Sequence, residues 1–212
     1  MGCSQCVGLE QETQKWVKSD LAALRRGKKQ RTTVLLIQAL LDLGVGEQTL
    51  LDIGGGLGVI QLELLKGGAA AATSVEISSA YLEAARQEAA SQGLSERITW
   101  QHGDFVALAE DVPAVDIVTL DRVVCCYPDY KELIGKSVVK AGKVYALVFP
   151  RDLWVIRQGL RLMNWIFKAQ KSLYVAYIHP VAEIDRIIRA SGFSAAYQHS
   201  TLGWHVRVYR RA

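Results

Sequence analysis

The sequence predicts an α/β fold in three layers, with helices on both faces of a mostly parallel sheet. Three observations carry that prediction. First, short apolar runs alternate with helical patterns, which is the signature of strand–helix–strand units. Second, four of those runs end in an acid, at Asp52, Glu76, Asp104 (just past the run, after Gly103) and Asp121; open parallel sheets bind ligands beyond the carboxyl ends of their strands. Third, the chain closes with two alternating runs, 193–199 and 203–209, that read as an antiparallel hairpin. At 212 residues a single domain spanning 1–212 is expected.

Each element then has its reason. Residues 1–9 carry no pattern and read as unstructured. Segment 11–44 holds two N-terminal helices: 11–24, with Trp16, Leu21 and Leu24 on its apolar side, and the strongly apolar 32–43. A first strand ends in Leu50-Leu51-Asp52-Ile53-Gly54-Gly55-Gly56-Leu57-Gly58 and passes into a helix over 59–66. Glycine permits left-handed geometry and close backbone approach, and the helix start presents unpaired N–H groups. Small, polar ligands suit such a turn. The dinucleotide fingerprint requires its third glycine at position 59, which is Val59, and no Gly-Lys-Ser/Thr of a Walker loop is present.

A second strand, 72–77, places Glu76 18 residues beyond Gly58, near the spacing at which such folds put a carboxylate on ribose hydroxyls. Ser78 or Ser79 can cap the next helix, 79–92, and Gly93 can stop it. The third strand, 98–102, runs into Gly103-Asp104-Phe105, and the fourth, 114–120, into Asp121-Arg122-Val123-Val124-Cys125-Cys126-Tyr127-Pro128-Asp129. A helix over 129–140, a fifth strand over 143–149, an inserted segment 151–174 and a helix over 181–190 complete the order.

The Asp-x-Gly-x-Gly-x-Gly turn resembles motif I of the class I S-adenosylmethionine (SAM) methyltransferases, and the acids that follow keep the family's spacing. The resemblance covers about 31–209, most specifically 50–58, 76, 103–105 and 116–128. It implies a Rossmann-like seven-stranded sheet in the order 3-2-1-4-5-7-6, and SAM as cofactor with S-adenosylhomocysteine as product. It further implies that Asp52, Gly54, Gly55, Gly56, Gly58, Glu76, Ile77, Asp104, Phe105 and Asp121 form the cofactor site. In that assignment Glu76 accepts from both ribose hydroxyls, Asp104 accepts from the adenine amino group, and the backbone at Phe105 meets the ring edge. The loop after strand four would face the sulfonium and the acceptor. His179 and Tyr127 are the candidate catalytic residues, and His102 is expected beside the adenine.

For the acceptor, the loop Leu120-Asp121-Arg122-Val123 replaces the Asn/Asp-Pro-Pro-Tyr used for amino groups of nucleic acids, so that chemistry is disfavoured. Compact size and the inserted 151–174 segment, read as a helical lid, favour a small or medium organic molecule. The chain looks closest to a generic bacterial small-molecule branch, with a faint similarity to magnesium-protoporphyrin O-methyltransferases. Two alternatives stand beside this reading. The basic cluster 25–31, five cations in seven residues, could serve an RNA or protein methyltransferase, although it also suits a solvated helix end. A non-catalytic SAM-binding protein on the same fold is the other.

Composition agrees with a soluble globular chain, at 50% hydrophobic, 22% charged and net +4. No apolar run approaches a membrane span, no secretory signal is recognised, and a cytoplasmic location with reduced thiols is expected. Cys3 and Cys6 form C-x-x-C without a second pair at zinc spacing, so no metal is expected. Cys125 and Cys126 read as small buried hydrophobes. In 152–171, Leu153, Ile156, Leu160, Met163 and Phe167 fall at helical spacing, Trp154 and Trp165 lie beside them, and Arg157, Arg161, Lys168 and Lys171 supply a polar face. Core plus lid is the reading preferred, with contact to a membrane surface as the alternative. Oligomeric state is not read from the sequence.

Overall fold

The structure is a computed structural model that describes residues 4–212, with side chains from Gly8 onward. Its elements run α1 (Ser4–Arg25), α2 (Arg31–Asp42), β1 (Thr49–Ile53), α3 (Val59–Lys66), β2 (Ala71–Glu76), α4 (Ser79–Ser91), β3 (Ile98–His102), α5 (Phe105–Leu108) and β4 (Val115–Asp121), followed by α6 (Tyr130–Val138), β5 (Ala141–Pro150), α7 (Trp154–Ala169), α8 (Val181–Ala190), β6 (Phe193–Ser200) and β7 (Trp204–Arg211). The sheet has seven strands in the order β3-β2-β1-β4-β5-β7-β6. Pairs among β1 to β5 are parallel, and β7 runs antiparallel to both β5 and β6. The predicted strand order is the observed one.

Alternation along the strands builds two cores. On β5, Val144, Ala146 and Val148 face α2 and α3, while Tyr145, Leu147 and Phe149 face α5, α6 and α8. The same division separates Leu50 from Leu51 and Ile117 from Val118, as a period of two requires. These central strands are covered on both faces, so they read as continuous apolar runs. Among the polar pairs in the interior, Ser137 Oγ and Tyr145 Oη lie 2.7 Å apart, and both residues are wholly buried.

Two expectations are corrected. Residues 4–9, expected to be unstructured, are helical, because α1 begins at Ser4. Gly8 explains part of that: a Cβ there would lie 2.5 Å from the Leu173 carbonyl carbon, so the helix start packs against the backbone before Tyr174. Residues 1–3, and the side chain of Cys6, lie outside the described residues. The four-residue α5 was not expected; Asp104 caps it through Val106 N–H at 3.0 Å.

Removing one partner of the buried hydroxyl pair strands the other. Ser137→Ala should lower unfolding free energy by about 1–3 kcal/mol in urea titrations, and adding Tyr145→Phe should recover part of that loss. A double variant as unstable as the two single effects summed would refute the coupling.

Candidate functional site

All four strand-end acids converge on one cavity of about 510 Å³ beyond the carboxyl edge of the sheet. Its floor is the glycine turn between β1 and α3. Gly54 and Gly56 adopt left-handed φ values of 64° and 55°. At Gly55 a Cβ would stand 2.9 Å from Asp52 Oδ2, and at Gly54 one would stand 2.5 Å from Val123 Cγ2. The turn is therefore glycine for two reasons, handedness and clearance. At Gly56 a Cβ would meet nothing within 4 Å, and the residue lines the cavity.

Two carboxylates are buried beneath and beside this turn. Glu76, at the end of β2, is 5% exposed. Its Oε2 accepts from Gly56 N–H and its Oε1 from Ser78 N–H, both at 2.8 Å. Burial raises its pKa, opposed by those backbone donors and by Ile77 N–H. Asp52 accepts from the Thr119 hydroxyl on Oδ1 at 2.7 Å, a contact set by the register that places Thr119 opposite it on β4. Its Oδ2 has no hydrogen-bond partner among the described residues, and neither do the two amide atoms of Gln61 in the first turn of α3. Desolvation lifts the Asp52 pKa to about 7, with Asp121 and Glu76 adding repulsion and Thr119 opposing. Unpartnered buried polar atoms under a glycine turn fit a site built for a polar ligand.

The remaining two acids are more engaged than expected. Asp104 Oδ1 caps α5, and its Oδ2 accepts from the Tyr127 hydroxyl at 3.0 Å. Asp121 Oδ2 accepts from the Thr33 hydroxyl of α2 at 2.5 Å, while Oδ1 pairs with Arg122 Nε at 3.3 Å. Arg122 itself is left-handed at φ 61°, a strained conformation for a residue with a Cβ. Its carbonyl receives both thiols, Cys125 Sγ at 3.3 Å and Cys126 Sγ at 3.5 Å. The thiols thus help hold the loop after β4 in its bent form.

The same loop is clamped from outside. Tyr177 N–H donates to the Cys125 carbonyl at 2.7 Å, and His179 Nε2 bonds the Tyr127 carbonyl at 3.0 Å. The His179 ring stacks on Tyr130 at 4.3 Å and on Tyr177 at 5.7 Å. Burial pulls its pKa down against the Tyr127 and Val124 carbonyls. Tyr127 lines the cavity and His179 does not. His102 Nε2 bonds the Ile77 carbonyl at 2.9 Å, steadying the turn after β2 rather than lining the cavity.

Sequence reasoning missed the roof. Leu9, Thr13, Trp16, Asp20, Ala23 and Leu24 of α1 close the cavity from above. Thr13 donates to Ser78 Oγ at 2.7 Å, Ser79 N–H donates to Glu10 at 3.0 Å, and the Tyr81 hydroxyl bonds Asp20. Of the 151–174 segment, read as the lid, only Tyr174 reaches the cavity wall. Lys28 and Lys29 of the basic cluster stand at the cavity, Lys29 paired with Glu63 at 3.2 Å, and Arg25 pairs with Glu88 at 3.5 Å.

The family described as a methyltransferase domain matches residues 50–138, the stretch from β1 through α6 that builds the floor and one wall of the cavity. Over that stretch the chain is similar to a methyltransferase domain, carried here on a seven-stranded sheet in the order the sequence predicts. Among curated relatives, ribosomal protein L11 methyltransferase of Yersinia pseudotuberculosis is 37% identical over 83 residues, covering 39% of this chain and 26% of that protein. A probable protein arginine N-methyltransferase of Arabidopsis thaliana is 26% identical over 134 residues, 63% of this chain and 32% of that one. The chain therefore spans about a quarter to a third of the length of these two relatives. Magnesium protoporphyrin IX methyltransferase of Synechocystis PCC 6803, solved with bound S-adenosylhomocysteine, superposes with a TM-score of 0.70 at 19% identity, over 94% of this chain and 98% of that one. No group of three or more metal-ligating side chains occurs among the described residues.

The Asp52 shift has a measurable consequence. The native state keeps a proton that the unfolded chain gives up near pH 3.8, so this group's contribution to stability is present below that pH and is lost as pH rises to about 7. Asp52→Asn should remove that decline, worth up to about 4 kcal/mol, when urea unfolding is compared between pH 4 and pH 8. Parallel pH profiles for the two proteins would refute the buried-proton account.

Proposed function

We propose that the chain transfers a methyl group from SAM to a small or medium organic acceptor. The observation that carries this reading is the cavity itself: a glycine-floored site at the carboxyl edge of a seven-stranded sheet, with buried acceptors at Glu76 and Asp52 and a mostly apolar roof from α1. Its volume lies within the range of small-molecule sites, roughly 300–1,000 Å³. When bound, SAM supplies an electrophilic methyl on a sulfonium, which a nucleophile takes in line with departure of the thioether.

The chain's own residues divide the work as follows. Glu76, already polarised by two backbone N–H groups, would accept from the ribose hydroxyls. Gly54, Gly55, Gly56 and Gly58 leave room for close approach, Ile77 and Phe105 flank the base, and Asp104 would offer an acceptor to the adenine amino group beside its bond to Tyr127. Asp52 shapes the floor from below. Asp121, Arg122 and Tyr127 form the wall that an acceptor would meet. Alignment of two reactants in a closed site is worth up to ~7–11 kcal/mol, so no general base is required of this site. We assign His179 to holding the Tyr127 carbonyl, because its ring is stacked outside the cavity wall.

Methylation of a protein or RNA is the second reading: similarity to the ribosomal protein L11 and protein arginine methyltransferases favours a protein, and Lys28 and Lys29 stand at the cavity. A binding-only relative is the third. Turnover separates them: homocysteine release on a panel of small acceptors, against the same assay on basic peptides and on RNA.

Two outcomes are expected. Calorimetric titration should show SAM binding without NAD binding; Gly56→Val should abolish it by filling the cavity floor, and Glu76→Gln should weaken it at least tenfold by setting an amide donor against a backbone N–H. Undiminished affinity in both variants would remove the assignment of the turn. His179→Gln should keep turnover within tenfold and leave the pH profile in place. A loss of 10²–10⁴-fold, the usual worth of a general base, with one limb of the profile missing, would make His179 the base instead.

A further inference from the structure

The inserted helix α7 carries two faces, and the second is not used by the fold. Its inner face holds Ile156, Leu160, Met163 and Phe167, all half-buried. Phe167 packs edge-on against Tyr174 at 5.3 Å and tilted against Trp16 at 6.5 Å, two residues of the cavity wall. Asn164 locks the inner face by bonding both the N–H and the carbonyl of Ala176, at 3.0 and 2.8 Å. No residue of α7 is fully buried.

The outer face is apolar except for the half-buried Gln158, which accepts from Arg161. Trp154 is 73% exposed, Val155 70%, Leu162 59%, Trp165 67% and Ile166 42%. At 3.6 residues per turn these five fall within a sector of about 120°. Arg157, Arg161 and Lys168 line one border of that sector, next to the two tryptophans. Arg157 is satisfied by Asp152, whereas Arg161, Lys168 and the following Lys171 have no ion-pair partner among the described residues. From 153 to 182 the chain contains no Asp or Glu.

We infer that this face docks on an anionic lipid surface. An exposed apolar sector bordered by cations and tryptophans is the make-up of a helix that lies in the plane of a bilayer interface. Charge selects this occupant. A second copy would bring the same uncompensated cations against themselves across a two-fold interface, while an anionic headgroup layer neutralises them. No helix among the described residues is long and apolar enough to cross a membrane, so contact is confined to the surface. The docked helix would hold its inner face, and through it Trp16 and Tyr174, against the cavity. The proposal is independent of the methyl-transfer reading, since it concerns lipid binding alone.

The test is flotation of the full chain with vesicles of phosphatidylcholine alone or mixed with phosphatidylglycerol, with tryptophan fluorescence read in parallel. The chain should float with the anionic vesicles only, with a blue shift in emission and loss of binding at high salt. Arg161→Gln and Lys168→Gln should each weaken partitioning roughly fivefold. Trp154→Ser combined with Trp165→Ser should abolish it while the circular dichroism spectrum is unchanged, both side chains being outside the core. Absence of flotation overturns the inference, as does equal binding to neutral vesicles. A dimer in sedimentation velocity that dissociates in the double tryptophan variant, without vesicle binding, would assign the face to a second copy.

Discussion

Keeping the carboxylates of Asp52 and Glu76 inside the protein, at the carboxyl edge of the sheet, shapes everything around the cavity. An ionised carboxylate loses several kcal/mol of hydration on burial unless donors or a proton replace the water. The chain solves this twice, in different ways. Glu76 receives backbone N–H groups from both sides, which ties the turn after β2 to the turn after β1. Asp52 receives one hydroxyl from the neighbouring strand and otherwise relies on a raised pKa. The glycines follow from this arrangement: any Cβ at Gly55 would press on the Asp52 carboxylate, and Gly56 must turn its N–H toward Glu76. A polar floor with spare acceptor capacity is the result, and it lies within the stretch that matches the methyltransferase domain.

The roof obeys different physics. Helix α1 is held over the cavity by a polar seam to the start of α4, in which Glu10, Thr13 and Asp20 meet Ser79, Ser78 and Tyr81. Hydrogen bonds of this kind contribute about 1 kcal/mol each, far less than the two cores that hold the sheet. Glycine at position 8 lets the helix press onto the backbone at Leu173, linking the roof to the segment after α7. Roof, Tyr174 and the inner face of α7 therefore form one layer, joined to the sheet by fewer buried apolar contacts than the two cores provide. The loop after β4 is the rigid counterpart, with a strained Arg122, two thiols on its carbonyl, and the His179 stack fixing it from behind.

The contrast between legible and illegible parts follows the range of the interactions. Glycine turns, strand ends and helix caps are local, so the sequence puts Asp52, Glu76, Asp104 and Asp121 at strand ends and the family resemblance assigns them to one site; each lines the cavity. Ser78 as the cap of α4 is legible for the same reason. Thr33, Thr119 and Arg122 carried no signal, because their roles come from partners 67 to 89 residues away, or from a backbone angle. His179 is the case the sequence could not place: it reads as a candidate base beside a proline, and its neighbours in space are two tyrosine rings and a carbonyl.

By itself, the sequence determined the alternating sheet, its antiparallel close and the glycine floor, since periodicity and turn chemistry act within a few residues along the chain. Only the tertiary structure decided what covers the floor and which apolar face is left bare. Amphipathic stripes on α1 and α7 look alike in one dimension. Helix α1 closes the cavity, and α7 keeps its tryptophans in solvent, because a roof is chosen by where a helix lands on the finished sheet and by what polar partners await it there.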